Sequence, residues 1–483
     1  MKKQKSLKLN FIMNAMLTMS SFIFPLITFP YVSRVLLPVG TGKVSFATSL
    51  ISYFSMFAQL GIPTYGIRAC AKVRDNREEL TRTAHELLLI NLVMDVLSYA
   101  ALGCALAFIP KLREERLLYI VVSSTILLTS IGMEWLYKAL EQYAYITVRS
   151  IVFKFVALIA MFLLVHEQED YLIYGGITIF AASASNILNL INAHKYIGLK
   201  PVGHYNLRRH LKPVGVFFAM SCASTIYTHM DTVMLGFMTT DEEVGYYNAA
   251  VRIKTILVSI VTSLGTVLLP RASYYVEQDL KEEFKRISEK ALRFVILLAA
   301  PMMLYFMMYA AQGIYFLSGP AYARSILPMQ IVMPTLLFIG MTNILGIQIL
   351  VPLGREKVVL YSEIAGAVVN LALNAVLIPR IGAAGAAIGT VAAEFAVLVV
   401  QAIALKEQVG AVFKTISYWK IGVGLALAAA GSYWLVFMKL GNFVTLVITA
   451  CLFFGLYGLT LLLSKERLTV ELFGQMIKRR RKD

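Results

Sequence analysis

Apolar stretches of about 20 residues recur along the whole chain, and each is long enough to cross the hydrocarbon core of a membrane as a helix. This criterion gives about fourteen such stretches. Of the 483 residues, 58% are hydrophobic and only 15% are charged, whereas a soluble domain has about 25% charged residues. With a mean hydropathy of +0.70, the chain is predicted to be an all-α polytopic membrane protein.

The boundaries of the predicted spans are soft by a few residues. The spans lie near residues 10–32, 43–63, 84–109, 117–137, 146–165, 171–193, 213–238, 244–269, 290–312, 323–350, 357–378, 383–405, 418–438 and 443–463.

The net charge of +17 is distributed unevenly between alternate loops. The segments on one side of the membrane hold most of the 45 Lys and Arg residues, including those at the N-terminus, in the loops 68–82 and 194–212, and in the tail 478–482. This pattern follows the positive-inside rule and predicts that both termini are cytoplasmic. We therefore expect topology, with some attraction to anionic lipids, to explain the basic surplus, and no nucleic-acid partner.

The four cysteines (Cys70, Cys104, Cys222 and Cys451) show no CxxC spacing, so we expect free thiols and no metal site. The first apolar run is long enough to span and has no clear cleavage site, so no cleavable signal peptide is expected.

An internal repeat is indicated when the sequence is compared with itself at an offset of 203 residues, which pairs Gly42 with Gly245. The polar residues of the spans repeat as well: Ser45, Ser49 and Ser52 correspond to Asn248, Arg252 and Thr255. Two six-helix lobes follow, at residues 1–200 and 201–410, with two further helices and a basic cytoplasmic tail at 411–483. Transporters built from parallel repeats commonly bind their substrate between the halves.

Ionisable residues inside a membrane span usually face a cavity or a partner, because burying their charge in hydrocarbon is costly. Arg252 lies in line with Asn248 and Thr255 on the eighth span, so it can present its guanidinium group to phosphate oxygens. An ion pair with a neighbouring helix, for instance with Asp231, is the structural alternative. On the seventh span, Ser221, Thr225 and Thr228 are predicted to contribute to a polar substrate path.

Other polar residues are candidates for ion coupling or for helix packing. Asp231 with His229 could carry a coupling proton, or the two could be ordinary interface residues. Glu363, Asn370 and Asn374 are predicted to share one face of the eleventh span, where they would line the path or bond to adjoining helices. Glu363 and Glu394 are carboxylates that could couple transport or form an ion pair.

Arg34 follows Pro25 and Pro30 at the outer end of the first span. Prolines permit bending, so this helix is a plausible moving part. Arg34 is expected to capture an anion at the outer mouth or to anchor the helix at the interface.

Three stretches resemble the polysaccharide flippases, the Wzx or RfbX-like branch of the multidrug, oligosaccharidyl-lipid and polysaccharide exporter superfamily. They are PYVSRVL at 30–36, the segment from Asp231 to Ala250, and the run from Gly366 through Pro379 and Gly389 to Glu394. The likeness extends over nearly the whole chain.

The resemblance implies a bacterial cytoplasmic-membrane exporter with twelve to fourteen helices and no enzymatic activity. Its substrate would be an oligosaccharide repeat unit on undecaprenyl pyrophosphate, moved from the inner to the outer leaflet by alternating access. Basic residues would contact the pyrophosphate, which supports Arg252 by location. A coupling ion, H⁺ or Na⁺, is possible, no cofactor is implied, and polymerases and other polysaccharide-assembly proteins would be partners.

Three alternatives remain open at this stage. A lipid II flippase would share the fold and differ in its lipid substrate. A drug or cation antiporter of the same superfamily would rely more on a carboxylate such as Asp231. A membrane glycosyltransferase or polymerase is disfavoured, because the outer loops are too short to fold alone as a catalytic domain.

Overall fold

The computed structural model describes residues 7–198, 200–406, 413, 416–438 and 440–471. Within these ranges the chain forms helices and connecting turns, with no strand. The lysines at positions 2, 3 and 5 and the basic tail at 478–482 lie outside the described residues. The expected all-α polytopic fold is therefore confirmed for the part of the chain that the structure describes.

Two compact units divide the chain, Met1–Gly245 and Tyr246–Asp483. The helices that begin in the first unit are α1 (Leu7–Gln59), α2 (Ile62–Lys72), α3 (Arg77–Phe108), α4 (Pro110–Glu114), α5 (Arg116–Gly132), α6 (Glu134–Ala139), α7 (Tyr143–Leu164), α8 (Tyr171–Ile179), α9 (Asn186–Asn192), α10 (Arg208–Met238) and α11 (Asp241–Glu277). A π-helical turn, Phe180–Ala184, separates α8 from α9.

The helices that lie wholly in the second unit are α12 (Lys281–Met308), α13 (Ala310–Leu317), α14 (Ile326–Val332), α15 (Thr335–Thr342), α16 (Glu356–Ala404), α17 (Tyr418–Tyr433) and α18 (Asn442–Leu463). A π-helical segment, Asn343–Leu350, follows α15.

In the described residues, nine helices are long and apolar enough to cross a membrane, or ten if the bent pair Pro320–Val332 and Thr335–Leu350 is one span. Two of the nine, Ile12–Lys72 and Glu356–Ala404, each contain two of the predicted spans. The helices α10 and α11, which contain the seventh and eighth predicted spans, are not among the nine. The count of fourteen stays a prediction.

Each double-length helix has a break in its backbone. A straight helix of 53 residues, such as α1, would be about 80 Å long, far more than a bilayer core of about 30 Å. Within α1, Leu37 has φ 58° and ψ −179°, and within α16, Gly382 has φ 53° and ψ −129°. Both conformations are strained for residues that carry a Cβ atom. The breaks divide α1 into α1a (7–36) and α1b (38–59), and α16 into α16a (356–380) and α16b (383–404).

Substitution of Gly382 by alanine is therefore expected to lower the free energy of unfolding by about 1–3 kcal/mol, the cost of holding a side chain in this backbone region. The matched control is Gly422→Ala in α17, where a new Cβ has no atom within 4 Å. We expect the control to be neutral or slightly stabilising. Denaturation in mixed micelles measures both, and a Gly382→Ala protein as stable as the control would contradict the expectation.

The compact units differ from the predicted lobes, because α10 packs within the first unit. Two glycines make this packing close. A Cβ on Gly236 of α10 would lie 2.1 Å from the ring of Phe46, and one on Gly61 would lie 2.5 Å from the backbone of Phe217. The first unit therefore extends to Gly245, and the boundary at 200/201 does not coincide with a boundary of the compact units.

Gly42 and Gly245 form a reciprocal contact within the first unit. A Cβ on Gly42 would lie 1.8 Å from the carbonyl oxygen of Asp241, and a Cβ on Gly245 would lie 2.1 Å from the carbonyl oxygen of Pro38. Pro38 and Asp241 are separated by the same 203 residues as the two glycines. The contact is thus symmetric with respect to the predicted repeat.

The last two helices, α17 and α18, pack in the second unit. Phe453 and Tyr457 of α18 join the same apolar core as Tyr305 and Tyr309. The hydroxyl of Tyr309 donates to Ser432 Oγ of α17 at 2.8 Å. These contacts make α17 and α18 part of the second unit.

Candidate functional site

The predicted residues of the seventh span lie on α10, where it packs against α1b. His229 Nδ1 is 3.3 Å from Ser49 Oγ, and its ring meets the ring of Tyr53 edge to face. Asp231 is 8% exposed and interacts electrostatically with Tyr53. Ser49, Tyr53, His229 and Asp231 therefore form one polar cluster inside the first unit. Sequence analysis named two of these residues as candidates, and α1b supplies the other two.

The three remaining candidates on α10 lie nearer its N-terminus. Ser221 and Thr225 are half-buried, and Thr228 is exposed. The hydroxyl of Thr228 donates to the carbonyl oxygen of Ser224 in its own helix at 2.8 Å. This local bond satisfies the hydroxyl donor and leaves oxygen lone pairs that can accept from a sugar hydroxyl.

Arg34 is exposed near the end of α1a. Its guanidinium group donates to the carbonyl oxygen of Pro30, one turn earlier in the same helix. This bond holds the Arg34 side chain along its own helix.

The predicted row on the eighth span lies on α11. Asn248 and Arg252 are half-buried, and Thr255 is exposed. Their spacing places them on one side of the helix. The hydroxyl of Thr255 donates to the carbonyl oxygen of Val251 at 2.9 Å. We call Asn248, Arg252 and Thr255 the α11 row. It combines a permanent positive charge with an amide and a hydroxyl, which are groups suited to phosphate and sugar oxygens.

The two asparagines of the eleventh span lie in the close interface between α16a and α16b. Asn374 Nδ2 donates to Asn370 Oδ1 at 2.8 Å, and both residues are buried. A Cβ on Gly389 of α16b would lie 2.1 Å from Asn374 Oδ1. Thr390, next to that glycine, shares a hydrogen bond of 2.9 Å with Tyr247 of α11. The asparagines thus have a clear packing role, and their place in a substrate path stays a prediction.

The two carboxylates of this helix have different surroundings. Glu363 is exposed, whereas Asn370 and Asn374 are buried, so Glu363 does not join them in the interface. The buried position beside it belongs to Ser362, whose hydroxyl accepts from Gln401 at 3.0 Å. Glu394 is 7% exposed, within α16b. The asparagines are thus packed in the interface, and Glu363, two turns earlier on the same helix, is not.

Sequence reasoning missed a buried ionic network in the first unit. Glu86 is fully buried, and one of its oxygens accepts from Arg209 at 2.6 Å and from His210 at 2.7 Å. Its other oxygen accepts from the backbone N–H of Asn206 at 2.7 Å. The presence of Glu86 in an apolar helix was the signal available in the sequence. It could not identify the partners of Glu86, which lie more than 100 residues away in the chain.

A second missed network surrounds Arg149 of α7. Its guanidinium group donates to the carbonyl oxygen of Ser185 and, at 3.0 Å, to Asn186 Oδ1. Glu134 lies 3.5 Å away. Both acceptor residues, Ser185 and Asn186, directly follow the π-helical turn Phe180–Ala184, where the ordinary helical bonding pattern is interrupted.

No group of three or more His, Cys, Asp or Glu side chains suited to a metal ion occurs among the residues described.

Comparison with known proteins places this fold and these residues in a family. The model of the family described as "Polysaccharide biosynthesis protein" matches residues 7–276, and the MatE model matches residues 217–376. Two relatives are named "Putative O-antigen transporter". The one from Escherichia coli (strain K12) is 25% identical over 80% of this chain and 94% of its own length. The one from Shigella dysenteriae is 24% identical over 80% and 97%.

Among solved structures, the chain is similar in fold to "Lipid II flippase MurJ, inward closed conformation". The TM-score is 0.72 at 14% identity, over 93% of this chain and 98% of the other. An inward-facing multidrug resistance MATE family transporter of the MOP superfamily gives a TM-score of 0.64 at 14% identity, over 84% and 100%.

These neighbours are transporters and flippases, in agreement with the expectation that the chain is not an enzyme. The resemblance drawn from the sequence is confirmed. Since the first family model spans more than half of the chain, this multi-pass membrane protein belongs to the family of polysaccharide biosynthesis proteins.

Proposed function

We propose that the chain is a flippase for lipid-linked oligosaccharides. It moves repeat units attached to undecaprenyl pyrophosphate from the inner to the outer leaflet of the bacterial cytoplasmic membrane by alternating access. Both termini lie in the cytoplasm, as the distribution of Lys and Arg predicts. Polymerases and other polysaccharide-assembly proteins receive the translocated unit.

The observation that carries this proposal is the α11 row, which lies inside the segment that matches the polysaccharide family. Arg252 lies in the eighth span predicted from the sequence, and a guanidinium group in such a span is costly unless an anion or a polar surface compensates for it. A pyrophosphate supplies two adjacent phosphates, and the planar fork of Arg252 can contact their oxygens with two parallel hydrogen bonds.

The other polar residues serve the sugars and the energy source in this proposal. Ser221, Thr225 and Thr228 replace part of the hydration shell of the sugar hydroxyls, and the polyprenyl chain stays in lipid. Arg34 meets the anionic headgroup near the end of α1a. A gradient of H⁺ or Na⁺ drives the cycle, with Asp231, His229 and Glu394 as candidates for coupling.

Mass spectrometry of polyprenyl-linked lipids tests the substrate. The host with the gene deleted is compared with the same strain complemented by the wild-type gene. We expect an undecaprenyl-pyrophosphate oligosaccharide to accumulate on deletion and to clear on complementation. Accumulation of lipid II would reject the proposal in favour of a cell-wall precursor flippase. An unchanged lipid profile with altered drug sensitivity would reject it in favour of an antiporter, the function suggested by the MatE match over residues 217–376.

Substitution of Arg252 by alanine is expected to slow the clearance of the accumulated lipid-linked oligosaccharide by roughly 10- to 100-fold, since a hydrogen bond to a charged group contributes about 1.5–3 kcal/mol. Lys254→Ala is the matched control, because it removes a positive charge two residues away on another side of α11. Clearance is followed by the same lipid measurement at equal protein level. Full complementation by Arg252→Ala would remove Arg252 from the site.

A further inference from the structure

Three buried oxygen atoms on α3 have no hydrogen-bond partner among the residues that the structure describes. They are Asn91 Oδ1, Asp95 Oδ2 and Ser98 Oγ. The residues are 0%, 3% and 4% exposed, and their spacing of four and three positions places them on one face of the helix. Buried polar atoms in proteins are nearly always hydrogen-bonded, so a row of three such oxygens needs an explanation.

The other atoms of these side chains are held in fixed directions. Asp95 Oδ1 accepts from Ser130 Oγ of α5 at 2.8 Å, and Ser130 Oγ accepts from Gln59 Nε2 of α1b at 2.8 Å. Asn91 Nδ2 donates to the carbonyl oxygen of Ala58 at 3.0 Å. Because the nitrogen of Asn91 is used in this bond, its amide oxygen remains an acceptor. The carboxylate and amide oxygens of the row are acceptors, and the Ser98 hydroxyl donates to neither of them.

Among the segments that pack against α3 are α1b, α2, α4 and α5, and Arg209 and His210 of α10 contact Glu86 of α3. Several of their titratable or charged side chains interact with other groups: Lys43 with Glu115, Tyr53 with Asp231, Tyr65 with His210, and Lys111 with Asp241. The remaining ones are Arg68, Cys70, Lys72, Arg113, Glu114, Arg116 and Tyr119. Tyr99, one turn further along α3, is a titratable side chain that interacts electrostatically with Asp95 and donates its hydroxyl to the carbonyl oxygen of Ser123.

We propose that Asp95 is a proton-binding site of the first unit, with the proton on Oδ2. A proton taken up from water forms one O–H bond and neutralises the carboxylate. Protonation removes the negative charge from the unpartnered Oδ2, while Oδ1 keeps its bond from Ser130. Neutralisation also removes the cost of a charge buried in an apolar span.

The chemistry of the row favours a proton over a metal cation. Hard metal ions such as Mg²⁺ and Ca²⁺ take six or more oxygen ligands. The row offers three oxygens, and Asp95 Oδ1 is already occupied by Ser130. A proton needs a single carboxylate oxygen, and Asp95 Oδ2 has no other partner among the described residues.

Because Asp95 is buried, its protonation is coupled to a change of conformation. Water reaches Asp95 only when the contact of α3 with α1b or α5 opens, since the carboxyl is enclosed by Gln59 and Ser130 in the packed state. The protonated form is stable in the packed state, and the ionised form favours a hydrated state. A proton gradient would thereby bias the population of the two states. This coupling role rests on the proposed function, and the proton site itself does not.

Infrared difference spectroscopy tests the site in the full chain, purified into lipid nanodiscs and titrated with pH. We expect a protonated-carboxyl band in the wild-type protein that is lost in Asp95→Asn and shifted in Ser130→Ala, which removes the donor to Oδ1. Glu394→Gln is the matched control, since it removes another buried carboxyl (7% exposed) and should leave the Asp95 band in place. A band that survives unchanged in both Asp95→Asn and Ser130→Ala would overturn the proposal.

Thermal unfolding in NaCl and in choline chloride gives an independent result. We expect equal unfolding temperatures in the two salts, and a greater stabilisation by acid in the wild type than in Asp95→Asn. Stabilisation by Na⁺ that Asp95→Asn abolishes would overturn the proposal and assign the row to a metal cation instead.

The coupling role is tested in the deletion strain by the lipid measurement described above. We expect Asp95→Asn to leave the lipid-linked oligosaccharide uncleared at normal protein level. Full clearance by Asp95→Asn would reject the coupling role. If deletion itself causes no accumulation, the proposed function fails, while the infrared result still decides whether Asp95 binds a proton.

Discussion

Replacement of Gly42 by alanine is expected to destabilise the first unit by about 3 kcal/mol or more. The added Cβ would lie 1.8 Å from the carbonyl oxygen and 2.7 Å from the carbonyl carbon of Asp241. Overpacking costs about 1–3 kcal/mol when side chains can adjust. Here the neighbours are backbone atoms, so α1b and the start of α11 would have to separate. Unfolding in mixed micelles measures the loss.

Gly103→Ala is the matched control, because it makes the same substitution within α3. A Cβ at Gly103 has no atom within 4 Å. Removing a glycine from a helix interior stabilises it by roughly 0.5–1 kcal/mol. The two alanine variants should therefore change stability in opposite directions. Equal stability of the two proteins would show that the contact at Gly42 relaxes without cost.

Substitution of Gly245 tests the same contact from the side of α11. Gly245→Ala should also destabilise, because its Cβ would lie 2.1 Å from the carbonyl oxygen of Pro38. Once one alanine has separated the two backbones, the second alanine causes a smaller steric clash and a smaller loss of stability. We therefore expect the double variant to cost less than the sum of the single variants, as is usual for residues that share a contact.

Replacement of Glu86 by alanine is the second substitution with a large expected effect. Loss of one partner from a buried ion pair typically costs about 3–5 kcal/mol, because the remaining charge is left uncompensated. Arg209 is 38% exposed and can rehydrate, so we expect the lower end of this range. The backbone N–H of Asn206 and the buried ring of His210 would still lose their acceptor.

The control for Glu86→Ala is Lys281→Ala at an exposed ion pair. Lys281 lies 3.4 Å from Asp279, and the two side chains are 82% and 81% exposed. Exposed pairs contribute little, so this change should stay within about 0.5 kcal/mol. Free energies of unfolding from the same micelle titration are compared. A Glu86→Ala protein as stable as the control would mean that the network contributes nothing to the fold.

Long apolar runs predicted the helices, because a membrane span needs such a run and few other structures produce one. The relation between Gly42 and Gly245 was also visible, since both small residues recur at a fixed offset. The breaks in α1 and α16 were harder to predict. Proline and glycine stand near both, yet the residue that takes the positive φ in α1 is Leu37, which no local rule favours.

The side-chain networks could not be predicted, because they join distant parts of the chain. Glu86 meets Arg209 and His210 across more than 100 residues, and Asp95 meets Ser130 and Gln59 through two other helices. Periodicity places a residue on a face of its helix. It does not say which helix lies opposite, and that neighbour decides whether a polar group binds a ligand, packs or carries charge.

The break at Leu37 has a mechanical consequence for α1. The two halves are joined without a connecting loop, and α1b is held beside the corner by the contact of Gly42 with Asp241. Pro25 and Pro30 interrupt the backbone bonding of α1a on the other side of the corner. A bend at either proline moves the residues before it in proportion to their distance from the fixed corner. The part of α1a before these prolines is bonded to α7, since Thr147 Oγ1 donates to the carbonyl oxygen of Met13 and Lys154 Nζ donates to Ser20 Oγ. Such a bend therefore moves α7 together with α1a.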